Sequence, residues 1–164
     1  MQADAPTRRG DLVALLLFLG SAIAAGAIGG FATATSVTTW YAGLNKPSFN
    51  PPNAVFGPVW TTLYVLMGVA AWRVWRSGPA RPQVRRALAV YGVQLGLNLT
   101  WSLLFFGLRA PLIALVDVAA LWLAIAGTIP LFWRTDRVAS VLLIPYLAWV
   151  SFASLLNFEI WRLN

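Results

Sequence analysis

The sequence predicts an all-α membrane protein, a five-transmembrane-helix bundle whose long first extramembrane loop caps a pocket. Three observations carry that prediction. Five apolar stretches, Leu12–Ala34, Ala54–Trp72, Ala87–Leu108, Ala110–Trp133 and Val138–Phe158, approach or exceed the roughly 20 residues a helix needs to cross a bilayer core. Charged residues are 10% of the 164, against about 25% in soluble domains, while 59% are hydrophobic. Period-two alternation is absent, so backbone polar groups should be satisfied inside helices rather than around a barrel. A single domain over 1–164 is expected, with helices near 12–34, 54–76, 81–108, 110–134 and 137–161 and the capping loop near 35–57.

The first helix follows Arg8 and Arg9, an arrangement that also resembles a signal peptide with Ala22-Ile23-Ala24 as a cleavage site. The uncharged run continues to Ala34, longer than a signal core, and is therefore read as the first span. Ala22, Gly26 and Gly30 form a small-xxx-small stripe, suited to close packing within the bundle or to a dimer contact.

The loop that follows is the one long stretch unsuited to crossing a membrane. Pro47, Pro51, Pro52 and Pro58 forbid a regular helix through its middle, because each lacks an amide proton and restricts the residue before it. Trp40, Tyr41, Phe49, Phe56 and Trp60 give it aromatic surface that disordered linkers lack. A stiff aromatic segment of this kind is either a lid over a binding site or a belt resting at headgroup level.

The second helix should begin near Pro52–Pro58 and place Trp60, Tyr64 and Met67 on one face. Gly78-Pro79 closes the next loop. On the third helix Gln94, Asn98, Trp101 and Phe105 share a stripe; two amides there would be costly against lipid, so the stripe should face the interior, bonding between helices or to a ligand. Gly92 and Gly96 offer a second candidate for a dimer contact. Gly107 to Pro111 makes a tight turn. The fourth helix carries Asp117, the one charge inside a span, with structural and functional roles both open. On the fifth helix Tyr146, Trp149, Ala153, Leu156 and Asn157 share a face with Phe152 at its edge, and small Ala153 beside Trp149 leaves room for something flat.

The net charge of +7 points to topology rather than to nucleic acid. Arg8, Arg9, Arg73, Arg76, Arg81, Arg85, Arg86, Arg134 and Arg137 fall on one side; only Lys46, Arg109 and Arg162 fall on the other. The positive-inside rule then places the N-terminus inside, and the C-terminus and first loop outside. The Arg73–Arg86 cluster also suits anionic lipid headgroups. With no cysteine and no histidine, thiol chemistry, the usual imidazole ligand and the usual general base are all missing, so no metal and no cofactor are expected.

Three blocks together resemble the TspO/translocator family, the tryptophan-rich sensory proteins that include the peripheral benzodiazepine receptor of mitochondria. They are Trp40-Tyr41-Ala42-Gly43-Leu44-Asn45-Lys46-Pro47 continuing through Gly57-Pro58-Val59-Trp60-Thr61-Thr62-Leu63-Tyr64; Gln94-Leu95-Gly96-Leu97-Asn98 with Trp101 and Phe105-Phe106-Gly107; and Pro145-Tyr146-Leu147-Ala148-Trp149 with Leu156-Asn157-Phe158. The resemblance covers residues 12–163 and implies a five-helix bundle, commonly a homodimer, with a pocket beneath the first loop. It also implies binding of porphyrins such as protoporphyrin IX and of isoquinoline carboxamide and benzodiazepine drugs. The tryptophans linked to porphyrin handling in bacterial relatives match Trp60 and Trp149, the candidates for any catalytic role. Pocket positions match Asn98, Trp101 and Ala153, and Trp40 and Pro51 fall in the matching loop. In the sterol-recognition segment Leu156 and Arg162 remain but Phe158 replaces the tyrosine, which places sterol binding in doubt. The small-residue stripe on the third helix is imperfect, with Val93 after Ala89, which leaves the dimer face open.

Such a guest suits the residues. A porphyrin is a flat apolar ring with acidic edges, and Trp60, Trp101 and Trp149 can supply stacking faces, Ala153 space, and Gln94 and Asn98 donors. The remaining candidates for contact are Tyr64, Phe105, Tyr146, Phe152 and Asn157. Three functions are compatible with this reading: a sensory protein regulating tetrapyrrole levels or stress response, an enzyme degrading protoporphyrin by tryptophan-dependent photo-oxidation, and a transporter of porphyrin or other small hydrophobic molecules.

Overall fold

The computed structural model describes residues 8–164, and among these it is entirely helical apart from connections. Its helices are α1 (Arg8–Val37), α2 (Asn53–Arg76), α3 (Pro82–Ser102), α4 (Pro111–Trp133), α5 (Arg137–Leu142) and α6 (Ile144–Leu163). Five spans are long and apolar enough to cross a membrane: α1, α2, α3 extended to Gly107, α4, and the combined segment Arg137–Leu163. Even the shortest of them, the 23 residues of α4, reaches about 34 Å at 1.5 Å per residue, beyond the roughly 30 Å of a bilayer core. The protein is a multi-pass integral membrane protein.

Burial runs opposite to that of a water-soluble bundle. Phe31 is 76% exposed, Val116 69% and Leu17 67%, whereas Gln94, Asn98, Thr128 and Asn157 are buried. Lipid is as apolar as a core, so helices here can be apolar all round and keep their polar groups for one another.

The helix ends follow local chemistry. α1 extends beyond the expected 12–34 because the solvated first turn, Arg8 to Asp11, continues the helix outside the apolar run. At its other end the Thr33 and Thr35 hydroxyls bond back to the Gly29 and Ala32 carbonyls at 2.9 Å, and the helix stops at Val37. With α2 beginning at Asn53, the cap is residues 38–52, irregular apart from one 3-10 turn at Tyr41–Gly43 and shorter than the 35–57 expected. Pro82 opens α3 at a position where a missing amide costs nothing. Beyond Ser102 the chain widens into a π-type turn over Leu103–Gly107, with the Leu108 amide bonding the Leu103 carbonyl at 2.8 Å and Arg109 at φ 54°. The fifth span is two pieces rather than one helix. Pro145 has no amide to return to the Val141 carbonyl, and the helix breaks at Leu143.

By contact, the spans close a ring in the order first, second, fifth, fourth, third and back to the first. Gly68 lies against the α1 backbone, where a Cβ would stand 2.9 Å from Leu19 Cα, so this glycine sets how closely α1 and α2 approach.

Candidate functional site

A cavity of about 660 Å³ lies beneath the first loop, walled by α1, α2, the end of α3 and α6. Three tryptophans from three helices meet there. Trp60 stacks on Tyr64 with centroids 5.7 Å apart and planes 28° apart. Trp60 also lies 6.3 Å from Trp101, and 6.5 Å from Trp149 at 89°. Trp101 stacks in turn on Phe105 at 5.6 Å. Ala153 keeps the α6 wall low next to Trp149.

A polar layer behind the rings holds them. The Tyr64 hydroxyl donates to Asn98 Oδ1 at 2.5 Å, and Asn98 Nδ2 donates to the Tyr146 hydroxyl at 3.1 Å. Trp101 Nε1 donates to Asn157 Oδ1 at 3.0 Å, while Asn157 Nδ2 reaches the Pro111 carbonyl at 2.8 Å. One asparagine thus ties α2, α3 and α6, and the other ties α3, α6 and the start of α4. Where the π-type turn forms, the Ser36 hydroxyl of α1 donates to the Phe106 carbonyl at 2.6 Å, which fixes the rim.

The roof is the loop itself. The Tyr41 hydroxyl donates to Asn50 Oδ1 at 2.8 Å and closes the loop on itself, with Lys46 Nζ 4.9 Å from the centre of the Tyr41 ring. Burial pushes the Tyr41 hydroxyl above its ordinary value of 10.0, partly opposed by the Asn50 bond, so it remains a donor at neutral pH. Phe49 of the roof meets Phe152 at 6.2 Å, and Phe56, in the first turn of α2 beneath it, meets Trp149 edge-on at 5.8 Å. Asn164 and Asn45 hold each other: the Asn45 amide donates to Asn164 Oδ1 at 2.9 Å and Asn164 Nδ2 to the Asn45 carbonyl at 3.0 Å. The roof is thereby fastened to the end of α6.

Of the residues expected at a site, Trp60, Tyr64, Trp101, Phe105, Trp149, Ala153 and Asn157 line the cavity. Asn98 and Tyr146 lie behind it, bonded as above. Gln94 is fully buried further down α3, its amide without a partner among the described residues. Trp40 packs edge-on against Phe105 at 5.6 Å, and Phe152 lies 5.4 Å from Trp149; both support lining rings from outside. Pro51 sits half-buried in the roof, its carbonyl accepting from Asn50 Nδ2.

The α1 wall was missing from the expected set: Ile23, Gly26, Ala27, Gly30, Thr33 and Ala34 all line the cavity. The small-residue stripe is the signal that could have located it. A Cβ on Gly26 would overlap the Tyr64 ring, whereas one on Gly30 would meet nothing within 4 Å. Part of the stripe therefore serves packing, and part leaves open space. Asp117 does not line the cavity, and its Oδ2 is buried without a partner among the described residues.

Among the described residues no carboxylate, lysine or arginine lines the cavity, and no cluster could hold a metal ion. Such a site can stack, enclose and orient an apolar guest; it has no acid–base pair.

Comparison with known proteins decides the lineage. Residues 17–162 match the TspO/MBR family. The chain belongs to that family. It is 47% identical to the tryptophan-rich protein TspO of Archaeoglobus fulgidus over 94% of this chain and 99% of that one. It is 36% identical to protein CrtK of Rhodobacter capsulatus over 93% and 95% of the two chains. With the human translocator protein it shares 44% identity over 76% of this chain and 75% of that one. In this TspO/MBR chain, most of the aromatic rings of the cavity come from the three blocks on which the family resemblance rests, while the α1 wall lies outside them.

Proposed function

We propose that the protein binds a porphyrin of the protoporphyrin IX type in the roofed cavity and acts as a sensory protein for tetrapyrrole levels or stress. The observation that carries this reading is the meeting of Trp60, Trp101 and Trp149 around an apolar space of about 660 Å³, within the range of about 300–1,000 Å³ typical of enclosed ligand sites. Stacking faces at differing tilts grip a flat ring, and Thr38, Asn53 and Ser102 add polar side chains to the wall.

Iron adds nothing to such binding. The chain has no histidine or cysteine, no methionine lines the cavity among the described residues, and the Tyr64 hydroxyl is committed to Asn98. Metal-free protoporphyrin is therefore expected to bind at least as tightly as haem. Quenching of tryptophan fluorescence in titrations of the purified protein tests this, and strong binding of haem alone would overturn it.

The two indoles lining the cavity are also compatible with a second reading, light-dependent oxidation of the bound ring with dioxygen as the oxidant and Trp60 and Trp149 as the groups that relay the electron. Product analysis in light and in darkness separates the two. If Trp60→Phe and Trp149→Phe retain binding but lose a defined light-dependent product, the protein is an enzyme; if no product forms in the parent chain, it is a sensor. Transport, the third reading, would show as flux of a labelled porphyrin across proteoliposomes. A homodimer through α3 fits the exposed Gly92 and Gly96, where added Cβ atoms would meet nothing in the chain.

A further inference from the structure

A second hollow, of about 310 Å³, lies at the arginine-rich end of the bundle and is walled by Arg73, Arg76, Ser77 and Asp136. It sits where the last turn of α2 meets the first turns of α1 and α5. The two carboxylates here are already committed. Asp136 accepts from Arg73 Nε at 3.2 Å, pairs with its Nη2 at 3.0 Å, and also caps α5 by accepting the Ala139 amide at 2.8 Å. Asp11 accepts from the Trp72 indole at 2.9 Å and pairs with Arg76 Nε at 3.3 Å.

Arg76 is therefore held by one nitrogen and by the Trp72 ring, which its guanidinium covers at 4.7 Å. Its two terminal nitrogens have no partner among the described residues. Around the hollow, Arg81, Arg85, Arg86, Arg134 and Arg137 have no carboxylate partner among the described residues. The result is a preformed guanidinium fork at the end of a membrane span, inside a field of surplus positive charge.

We propose that this hollow seats a phosphate group, with Arg76 as the fork that grips it. A planar guanidinium matches two phosphate oxygens at once, which an ammonium cannot. The position at the end of α2 is the depth of lipid headgroups, so the phosphodiester of an anionic lipid and a soluble phosphate ester share the required chemistry. The site is separate from the aromatic cavity and does not depend on the porphyrin reading.

The test uses the full chain in detergent, mixed with equal phosphatidylglycerol and phosphatidylcholine, with retained lipid read by native mass spectrometry. A parallel arm measures thermal shifts with inorganic phosphate and glycerol phosphate against chloride at matched ionic strength. The parent chain should retain the anionic lipid preferentially, and Arg76→Gln should cut that preference about fivefold, the effect of one basic contact at a lipid surface. Arg76→Lys keeps the Asp11 pair but not the fork, and should fall between the two. The double variant Arg85→Gln/Arg86→Gln, at the same end but outside the hollow, lowers only the general positive field and should reduce the preference less than Arg76→Gln alone. A thermal shift from soluble phosphate that Arg76→Gln abolishes, without lipid preference, would assign the seat to a soluble ester. Equal retention of both lipids with no phosphate shift, or an equal loss in the Arg85/Arg86 variant, would overturn the proposal.

Discussion

At the scale of single residues, the cavity depends less on its rings than on what stops them turning. Asn98 is fully buried and makes one bond to each of two tyrosines. Asn98→Leu leaves both hydroxyls without that partner, so it should destabilise the bundle by about 1–3 kcal/mol, with Tyr64→Phe costing less. Unfolding in mixed micelles measures both, and a neutral Asn98→Leu would mean that water already serves these hydroxyls. The glycines of α1 make a sharper pair. Gly26→Ala places a methyl on the Tyr64 ring and should lower stability by about 1–3 kcal/mol, the usual cost of overpacking. Gly30→Ala should leave stability unchanged while it narrows the cavity, which ligand affinity would report. This pair also marks a limit of sequence reading. Both glycines lay in one visible stripe, but the stripe cannot say which of them faces a ring and which faces space.

At the scale of elements, the α2, α3 and α6 faces were legible because aromatic and amide residues recur on them at helical spacing amid aliphatic sequence. On α3, burial of Gln94, Asn98, Trp101 and Phe105 follows from the cost of placing amides in lipid. What the amides bond to was not legible: Asn98 bonds to tyrosines of other helices, and periodicity carries no information about partners. α1 was the least legible, since a helix that is apolar all round gives no sign of its inward face. The break at Leu143 needed only Pro145 to be weighed as an interruption rather than as part of a span. Asn164→Ala removes two bonds to Asn45, each worth about 0.5–1.5 kcal/mol. Amide exchange over residues 38–52 should then quicken roughly tenfold, and a bound guest should dissociate faster with little change in its association rate. Unchanged exchange would show that the Phe49 contact to Phe152 and the Asn45 bond to the Leu163 carbonyl suffice to hold the roof.

At the scale of the whole molecule, the two ends of the bundle differ in chemistry. One end carries the aromatic cavity, its roof and few cations; the other carries nine of the twelve basic residues. Five spans put the start of α1 and the end of α6 on opposite faces. Cations near short loops resist translocation, so the arginine-rich end should remain inside and the roofed cavity should open outside. Asp11 and Asp136 each pair with an arginine at the basic end, but acidic residues contribute little to orientation, so the paired arginines still count and the bias stands. Single cysteines provide the test, because the chain has none of its own. A cysteine at Ser48 in the roof should react with a membrane-impermeant maleimide in intact cells, whereas one at Ala80 in the loop after α2 should react only after permeabilisation. The reverse pattern would invert the protein and turn the cavity towards the interior. Labelling at both sites in intact cells would mean that charge alone does not fix the orientation, a result expected only if the two ends were closer in charge than nine to three.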